Sequence, residues 1–354
     1  MRLINRFVLV NRFVLAALAA LWLPLPIAVA ANGQPPAFDF PLKCKPGQRC
    51  FIQNYVDQAP GPQAEDFACG NLSYDGHKGT DFRVSDLAEL AKGITVVAAA
   101  DGRIKATRDG MPDRDYRDAD AKLVRNMECG NGVIIDHGDG WHSKYCHMRR
   151  GSILPPNGSV VVAGQALGLM GLSGKTSFPH LHFEVTFKEK FVDPFTGLHQ
   201  RQAQTCTVNA RTNTLWHRTA ATQLIYKASG IISSGFATTK PDIKQIEKGK
   251  FKLQQASVQV PVLLYWIQMY GLQPGDKAEI VVTRPDGTML AQTRDIHTGS
   301  HKAQWYAFVG KRRPKGGRWP AGDYPGRYKL SRVSEDGSWQ EVLSVERKIK
   351  LGDF

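Results

Sequence analysis

Hydrophobic and polar residues alternate in short runs along most of the chain, and glycine-rich turns separate the runs. Stretches such as ITVVAAADGRIKATRDG, GNGVIIDHGDGWHSKYCHM and GSVVVAGQALGLMGLSG are typical of short strands joined by tight turns. Helical periodicity is scarce, and SDLAELAK is the best helix, with Ser85 as its N-cap and Gly93 as its stop. The pattern predicts an all-β protein that begins with a compact antiparallel β-sheet domain.

A shift in composition after Cys206 indicates a second folded unit. The chain beyond it alternates again, with turn signals such as PDG and EDG between apolar runs. Several short strands at this spacing predict a β-sandwich of immunoglobulin type. We therefore expect an extended lead-in at 31–43, a first domain at 44–206, a linker at 207–220 and the sandwich at 221–354.

The N-terminus has the pattern of a secretory signal. Arginines precede the apolar run FVLAALAALWLPLPIAVA, which ends in the small-x-small sequence Ala28-Val29-Ala30. We expect residues 1–30 to be a signal peptide, removed to leave no membrane span and a periplasmic or extracellular protein. An uncleaved anchor is the alternative, but Pro24 and Pro26 would interrupt a spanning helix.

Charge and cysteine content fit an exported protein. The 354 residues carry a formal charge of +14, which favours anionic partners such as nucleic acid, a membrane surface or an anionic cell-wall polymer. Export disfavours nucleic acid. The six cysteines predict three disulfides in an oxidising compartment. The pairs that we expect are Cys44 with Cys50, Cys129 with Cys146, and Cys69 with Cys206.

Two short motifs carry residues suited to bind a metal ion. His180-Leu181-His182 lies in the alternating run PHLHFEV, so a strand would point both imidazoles from one face. Upstream, YDGHKGTDF places His77 and Asp81 four residues apart, and its glycine favours a tight turn over a helix. Taken singly, each motif is common in proteins that bind no metal.

Residues from both motifs could bind the same zinc ion. It accepts imidazole nitrogen and carboxylate oxygen in tetrahedral geometry, and a catalytic zinc has three protein ligands and one position open for water. His77, Asp81 and one histidine of the pair would supply three ligands. Bound zinc lowers the pKa of its water to about 7. The other histidine, and His147 at the end of the strand SKYCHM, would remain for proton transfer or oxyanion stabilisation.

The order of the motifs is more specific than any one of them. HKGTD (77–81), YCHM (145–148) and PHLHFEV (179–185) follow one another, and the glycine-rich stretch VVVAGQALGLMGLSGKTSFPH leads into the last. Together they resemble the lysostaphin/LytM-type zinc metallopeptidases, which cleave peptide cross-links of peptidoglycan. The resemblance covers roughly residues 75–194.

The resemblance implies a role for each motif residue. By it, His77, Asp81 and His182 are the ligands of one Zn²⁺ per chain, and His180 and His147 are catalytic histidines that do not bind the metal. The domain at 44–206 would then be a zinc peptidase domain with peptidoglycan as its partner. An anionic envelope polymer is a second partner that the positive charge would suit.

Departures from the family pattern bear on substrate specificity and groove shape rather than on metal binding, and two other functions stay open. Phe178 stands where many members have glycine, and neither the cysteines nor the long charged loop after Gly110 is a general feature of the family. Some members lack zinc ligands and act as non-enzymatic activators of other cell-wall hydrolases. A zinc peptidase acting on exported protein would carry the same motifs.

The remaining histidines are expected at turns or on the surface: His137, His142, His199, His217, His297 and His301.

Overall fold

The computed structural model describes residues 34–118, 124–201 and 213–354 and confirms an all-β protein. The expected signal peptide at 1–30 lies outside the described residues. No helix in the three described ranges is long and apolar enough to cross a membrane.

The first unit consists of short strands with very little helix. One helix and a single 3₁₀ turn at Tyr116–Asp118 interrupt its described strands. Its elements are β1 Cys50–Asn54, β2 Thr80–Val84, α1 Leu87–Ala91, β3 Thr95–Val97, β4 Gly102–Arg108, β5 Asn131–Gly138, β6 Trp141–Met148, β7 Val160–Val161, β8 Ala166–Leu169, β9 His180–Phe187 and β10 Lys190–Val192.

Strand β9 lies inside the main sheet of this unit. The described strands of that sheet run in the order β1-β2-β9-β6-β5-β4-β7, all antiparallel, and β10 pairs with the far end of β9. Leu181, Phe183 and Val185 of β9 are fully buried in the core. Since side chains alternate along a strand, His180 and His182 point from the opposite face, as the alternation of PHLHFEV predicts.

The core of the first unit also takes in residues from both of its flanks. Phe38 and Leu42 of the expected lead-in are buried, and so are Leu215 and Trp216 of the expected linker. Phe38 and Trp216 also pair by a backbone bridge. The described parts of both segments therefore pack as core rather than as free connections, while the domain boundaries remain predictions.

Helix α1 begins one residue later than the sequence pattern suggests. The predicted N-cap Ser85 is wrong, because the side chain of Asp86 accepts the hydrogen bond from the Glu89 N–H. Gly93 adopts a positive φ and donates to the Leu90 carbonyl, which ends the helix as predicted.

Two of the three expected disulfides are present. Cys44 pairs with Cys50, and Cys129 pairs with Cys146. The third pairing, Cys69 with Cys206, lies outside the described residues because Cys206 does.

The rest of the chain forms a second β unit. A sheet ordered β11-β13-β16 and a sheet ordered β12-β18-β17-β14-β15 enclose one apolar core. An immunoglobulin-type topology for this unit remains a prediction. Helix α2 Arg218–Gln223 precedes this unit, and its Ala220 is buried in the core of the first unit. The elements of the second unit are β11 Gly230–Ala237, α3 Ile243–Glu247, β12 Gln255–Ser257, β13 Val262–Tyr270, β14 Lys277–Thr283, β15 Met289–Ile296, β16 Trp305–Arg312, β17 Gly322–Val333 and β18 Trp339–Gly352.

A buried carboxyl group just after β10 makes the stability of the fold depend on pH. Burial raises the pKa of Asp193 to about 7, although the Phe195 N–H and the Gln58 amide donate to it. An aspartate in an unfolded chain has a pKa of about 3.9. Between these values the folded chain binds more protons, so the free energy of unfolding falls as pH rises, by at most about 1.4 kcal/mol per pH unit.

We expect Asp193→Asn to remove this contribution. Gln58 Oε1 is buried without a partner among the described residues, so its amide can turn and accept a hydrogen bond from the new side chain. Urea unfolding of both proteins at several pH values between 4 and 7 checks the prediction. For the variant we expect the free energy of unfolding to fall less steeply with rising pH than for the wild-type protein. Equal slopes of this free energy against pH would contradict the prediction.

Candidate metal centre

Three ligand atoms from the two sequence motifs meet at one point. His77 Nε2 lies 3.2 Å from Asp81 Oδ1 and 3.2 Å from His182 Nδ1, and His182 Nδ1 lies 2.8 Å from Asp81 Oδ1. All three residues are buried or nearly so. In the part of the chain that the structure describes, His77, Asp81 and His182 form the one cluster of three metal-ligating side chains close enough to hold a metal ion.

The register between β2 and β9 creates this meeting point. Asp81 pairs directly with His182 across the antiparallel ladder, so both side chains leave the same face. His77 precedes β2 in a tight turn, and Gly79 lets that turn approach β9 closely. A Cβ at Gly79 would lie 2.6 Å from the Phe183 carbonyl oxygen and 2.8 Å from His182 Nε2, so only glycine fits there.

Hydrogen bonds from a second layer of residues orient the three side chains. His77 Nδ1 donates to the Tyr55 carbonyl at 2.7 Å, which leaves Nε2 to bind a metal. Asn54 Nδ2 donates to Asp81 Oδ2 at 2.9 Å, and His182 Nε2 lies 3.0 Å from Glu184 Oε1. The sequence signals only Glu184, which follows His182 by two residues on the same strand face.

The donor set fits zinc. Ligands about 2.0–2.1 Å from a tetrahedral zinc ion are separated by about 3.3 Å, close to the separations here. Two imidazoles and a carboxylate, with outer hydrogen bonds to a carbonyl and a second carboxylate, are typical of catalytic zinc sites. His77 and His182 of the trio line an open cleft.

The electrostatics of the trio favour a bound cation. Burial by itself disfavours the ionised carboxyl of Asp81, but His77 and His180 outweigh it and hold the pKa of Asp81 well below its usual value. Burial likewise disfavours the charged ring of His182, yet Asp81 and Glu184 raise its pKa to about 9. The buried carboxylates thus attract positive charge, which a metal ion would supply.

His180 and His147 border the trio without belonging to it. Their ring centres are 4.6 Å apart, and His180 Nε2 lies 3.4 Å from Asp81 Oδ1. His180 Nδ1 donates to the Phe178 carbonyl at 2.9 Å, and His147 Nδ1 donates to the Ser173 carbonyl at 2.7 Å. Each ring therefore keeps Nε2 as its nitrogen for proton exchange.

A bulge in β6 turns His147 toward the cleft. Cys146 pairs with His182 of β9, so regular alternation would point the next residue to the other face. Instead, Cys146 and His147 together oppose Gly132 of β5, and His147 adopts a positive φ of 61°. Burial, together with the neighbouring rings of His180 and His182, holds the pKa of His147 well below its ordinary value.

The cleft lined by His77, His147 and His182 has a volume of about 510 Å³, and its walls carry more cations than carboxylates. The carboxylate of Glu184 pairs with Lys144 at 3.1 Å. The charged side chains that line it, besides the histidines, are Lys78, Arg108, Lys144, Lys175, Glu128 and Glu184.

The other histidines lie elsewhere, and one is placed differently from the sequence expectation. His137 is buried in the first unit rather than exposed at a turn, where its ring contacts the Asp101 carbonyl at 2.6 Å and Ser143 Oγ at 2.7 Å. His142 lies 2.8 Å from the ammonium group of Lys105, away from the cleft.

The segment that contains the site matches a known protein family. Residues 75–194 match peptidase family M23. This segment is an M23 peptidase domain. It contains all five residues described above, as the motif order in the sequence implies.

Two curated relatives share this segment. The murein hydrolase activator NlpD of Salmonella dublin is 36% identical over 126 residues, which are 36% of this chain and 27% of NlpD. The peptidoglycan DD-endopeptidase ShyB of Vibrio cholerae is 34% identical over 91 residues, 25% of this chain and 20% of ShyB. The chain thus spans about a quarter or less of the length of these relatives.

Two solved structures match part of this chain. The catalytic domain of lysostaphin from Staphylococcus simulans is 23% identical, with a TM-score of 0.26, over 40% of this chain and 85% of that domain. A zinc-containing peptidase from Vibrio cholerae is 24% identical, with a TM-score of 0.31, over 45% of this chain and 39% of that one.

Removing a ligand should abolish zinc binding. We expect His77→Ala and Asp81→Ala each to weaken zinc binding by at least about 100-fold, because loss of an outer-layer partner alone costs 10- to 100-fold. Titration calorimetry of the metal-free protein with zinc measures this. His142→Ala, which removes a histidine outside the cleft, is the matched control and should bind one zinc ion per chain. Full binding by both ligand variants would contradict the assignment.

Proposed function

We propose that this protein is an exported, zinc-dependent endopeptidase that hydrolyses the peptide cross-links of peptidoglycan. The observation that carries the proposal is the complete constellation around one cleft. Three donor atoms stand within 3.2 Å of one another, His180 Nε2 lies 3.4 Å from Asp81 Oδ1, and the ring centre of His147 lies 4.6 Å from that of His180. An M23 domain that served only as a binding module would not require any of these five side chains.

The residues divide the chemistry of amide hydrolysis among them. Zinc, when bound by His77, Asp81 and His182, lowers the pKa of water and polarises a carbonyl group. His147 is neutral near pH 7, since its pKa is lowered, so Nε2 accepts a proton. His180 Nε2 lies 3.4 Å from Asp81 Oδ1, and when this ring is protonated on both nitrogens Nε2 donates to the oxyanion or to the leaving amine. The Ser173 and Phe178 carbonyls each hold a proton on Nδ1, so Nε2 is the nitrogen through which each ring gains or loses a proton.

The charge of the cleft supports an anionic substrate. Lys78, Arg108 and Lys175 line it in addition to the paired Lys144. Cross-linking peptides of peptidoglycan carry free carboxylates, which such a cleft attracts. The similarity to ShyB, named a peptidoglycan DD-endopeptidase, supports the same class of substrate.

Two other functions remain as alternatives. The similarity to NlpD, named a murein hydrolase activator, favours a non-enzymatic protein that activates another hydrolase. The complete set of ligands argues against it. A zinc peptidase acting on exported protein would use the same residues, and only the substrate distinguishes it.

Hydrolysis of purified, cross-linked peptidoglycan tests the proposed function. We expect residues 31–354 to release uncross-linked peptides, identified by mass, and we expect a zinc chelator to stop the release. Zinc binding without hydrolysis of peptidoglycan, but with cleavage of glycine-rich protein, would favour the protein substrate. Absence of any hydrolysis by the zinc-loaded protein would favour the activator.

The two histidines that do not bind metal should be needed for rate and not for zinc affinity. We expect His147→Asn and His180→Asn each to lower kcat by about 10²- to 10⁴-fold, the usual contribution of general acid–base catalysis. Asparagine tolerates the positive φ of residue 147, so the bulge should persist. Steady-state kinetics with a zinc titration of each variant measures both properties. An unchanged kcat in either variant would contradict the role given to that residue.

A further inference from the structure

The charged loop that follows β4 runs along the segment leading into β9. The backbone N–H of Arg114 donates to the Leu172 carbonyl at 3.0 Å, and that of Tyr116 donates to the Thr176 carbonyl at 2.9 Å. Asp113 Oδ1 also accepts from the Leu172 N–H at 2.7 Å. The described start of this loop, residues 111–118, thus forms a wall beside the segment that carries His180.

Arg117 joins this wall to the second β unit. Its guanidinium donates to Glu247 Oε2 at 2.8 Å, to the Ser177 carbonyl at 3.2 Å and to the side chain of Asp115. The Glu247 side chain is only 8% exposed and the Arg117 side chain 33%, so water screens the pair only in part. Arg117 therefore connects α3 of the second unit with the backbone at Ser177, three residues before His180.

Glu247 is itself held firmly by the second unit. It is the last residue of α3, and Gln304 Nε2 donates to its other carboxylate oxygen at 3.2 Å. The preceding residue, Ile246, is fully buried against Ala237, Leu264 and Trp266. The carboxylate is thus a fixed anchor rather than a mobile surface group.

The segment beyond Ser177 orients His180 directly. The Phe178 carbonyl accepts from His180 Nδ1, and the Phe178 ring stacks on the imidazole, with centres 4.4 Å apart and planes 25° apart. The buried guanidinium of Arg83 lies 4.7 Å from the centre of the same phenyl ring. A shift of the Ser177 carbonyl would carry Phe178, and with it the His180 ring.

We propose that Glu247 is a positioning residue for His180, acting through Arg117 and the Ser177–Phe178 backbone. The second β unit then contributes to catalysis by fixing the proton-transfer histidine, although none of its described residues lines the cleft. Only the kinetic test of this proposal depends on the proposed hydrolytic function.

Two isosteric variants of the full-length, zinc-loaded protein separate positioning from simple docking of the units. Glu247→Gln keeps the shape and the contact with Gln304 but removes the charge that holds Arg117. Asp118→Asn weakens the neighbouring ion pair with Lys244, which joins the same loop and the same helix without reaching Ser177.

We expect Glu247→Gln to lower kcat on peptidoglycan by about tenfold, with KM and zinc stoichiometry unchanged, because small displacements of a catalytic group reduce rate strongly. Asp118→Asn should stay within about twofold, since exposed ion pairs contribute little. A lowered melting temperature with unchanged kcat in Glu247→Gln would reduce Glu247 to a structural contact and overturn the proposal.

A measurement without turnover keeps the two proposals distinct. Amide hydrogen exchange over residues 172–180, with the ¹⁵N shifts of the His180 ring, should change in Glu247→Gln and not in Asp118→Asn. If the wild-type protein hydrolyses nothing, the proposed function fails and this comparison still decides the role of Glu247. Equal exchange and equal shifts in both variants would overturn the positioning role.

Discussion

The antiparallel register between β2 and β9 is the constraint on which the rest of this structure depends. It sets Asp81 opposite His182, and a slip of one residue would send one of these side chains into the core. The same register places Leu181, Phe183 and Val185 inside, so burial of apolar area locks the ligand face outward. The burial of the β9 core residues and the meeting of Asp81 with His182 are therefore two consequences of one strand alignment.

Around this rigid pair the site is completed by irregular backbone. A bulge with positive φ turns His147 into the cleft, and the Cys129–Cys146 disulfide brackets it, with the Cys129 carbonyl accepting from the His147 N–H. Such strain persists only where surrounding contacts over-determine it, which is a common feature of functional sites. Strands β2 and β9 carry Asp81, His180 and His182, the turn before β2 carries His77, and the bulge of β6 carries His147.

Sequence reasoning reached the all-β class, the alternation of β9 and two of the disulfides, because each rests on local pattern or short spacing. It left open which histidine of the pair joins His77 and Asp81 until the family resemblance was used. It did not identify Asn54 or the Tyr55 carbonyl as partners of the ligands. Asn54 contacts Asp81, and the Tyr55 carbonyl contacts His77, through strand pairing across more than twenty residues. The contact between Glu247 and Arg117 joins two folded units, and no local pattern reports such packing.

The central claim is that His77, Asp81 and His182 hold one zinc ion with a position open for water. X-ray absorption at the zinc edge of the zinc-loaded protein tests it most directly. The account predicts two imidazole nitrogens and carboxylate and water oxygens, all about 2.0–2.2 Å from the metal. A shell with sulfur, or with a third imidazole in place of the water, would contradict it.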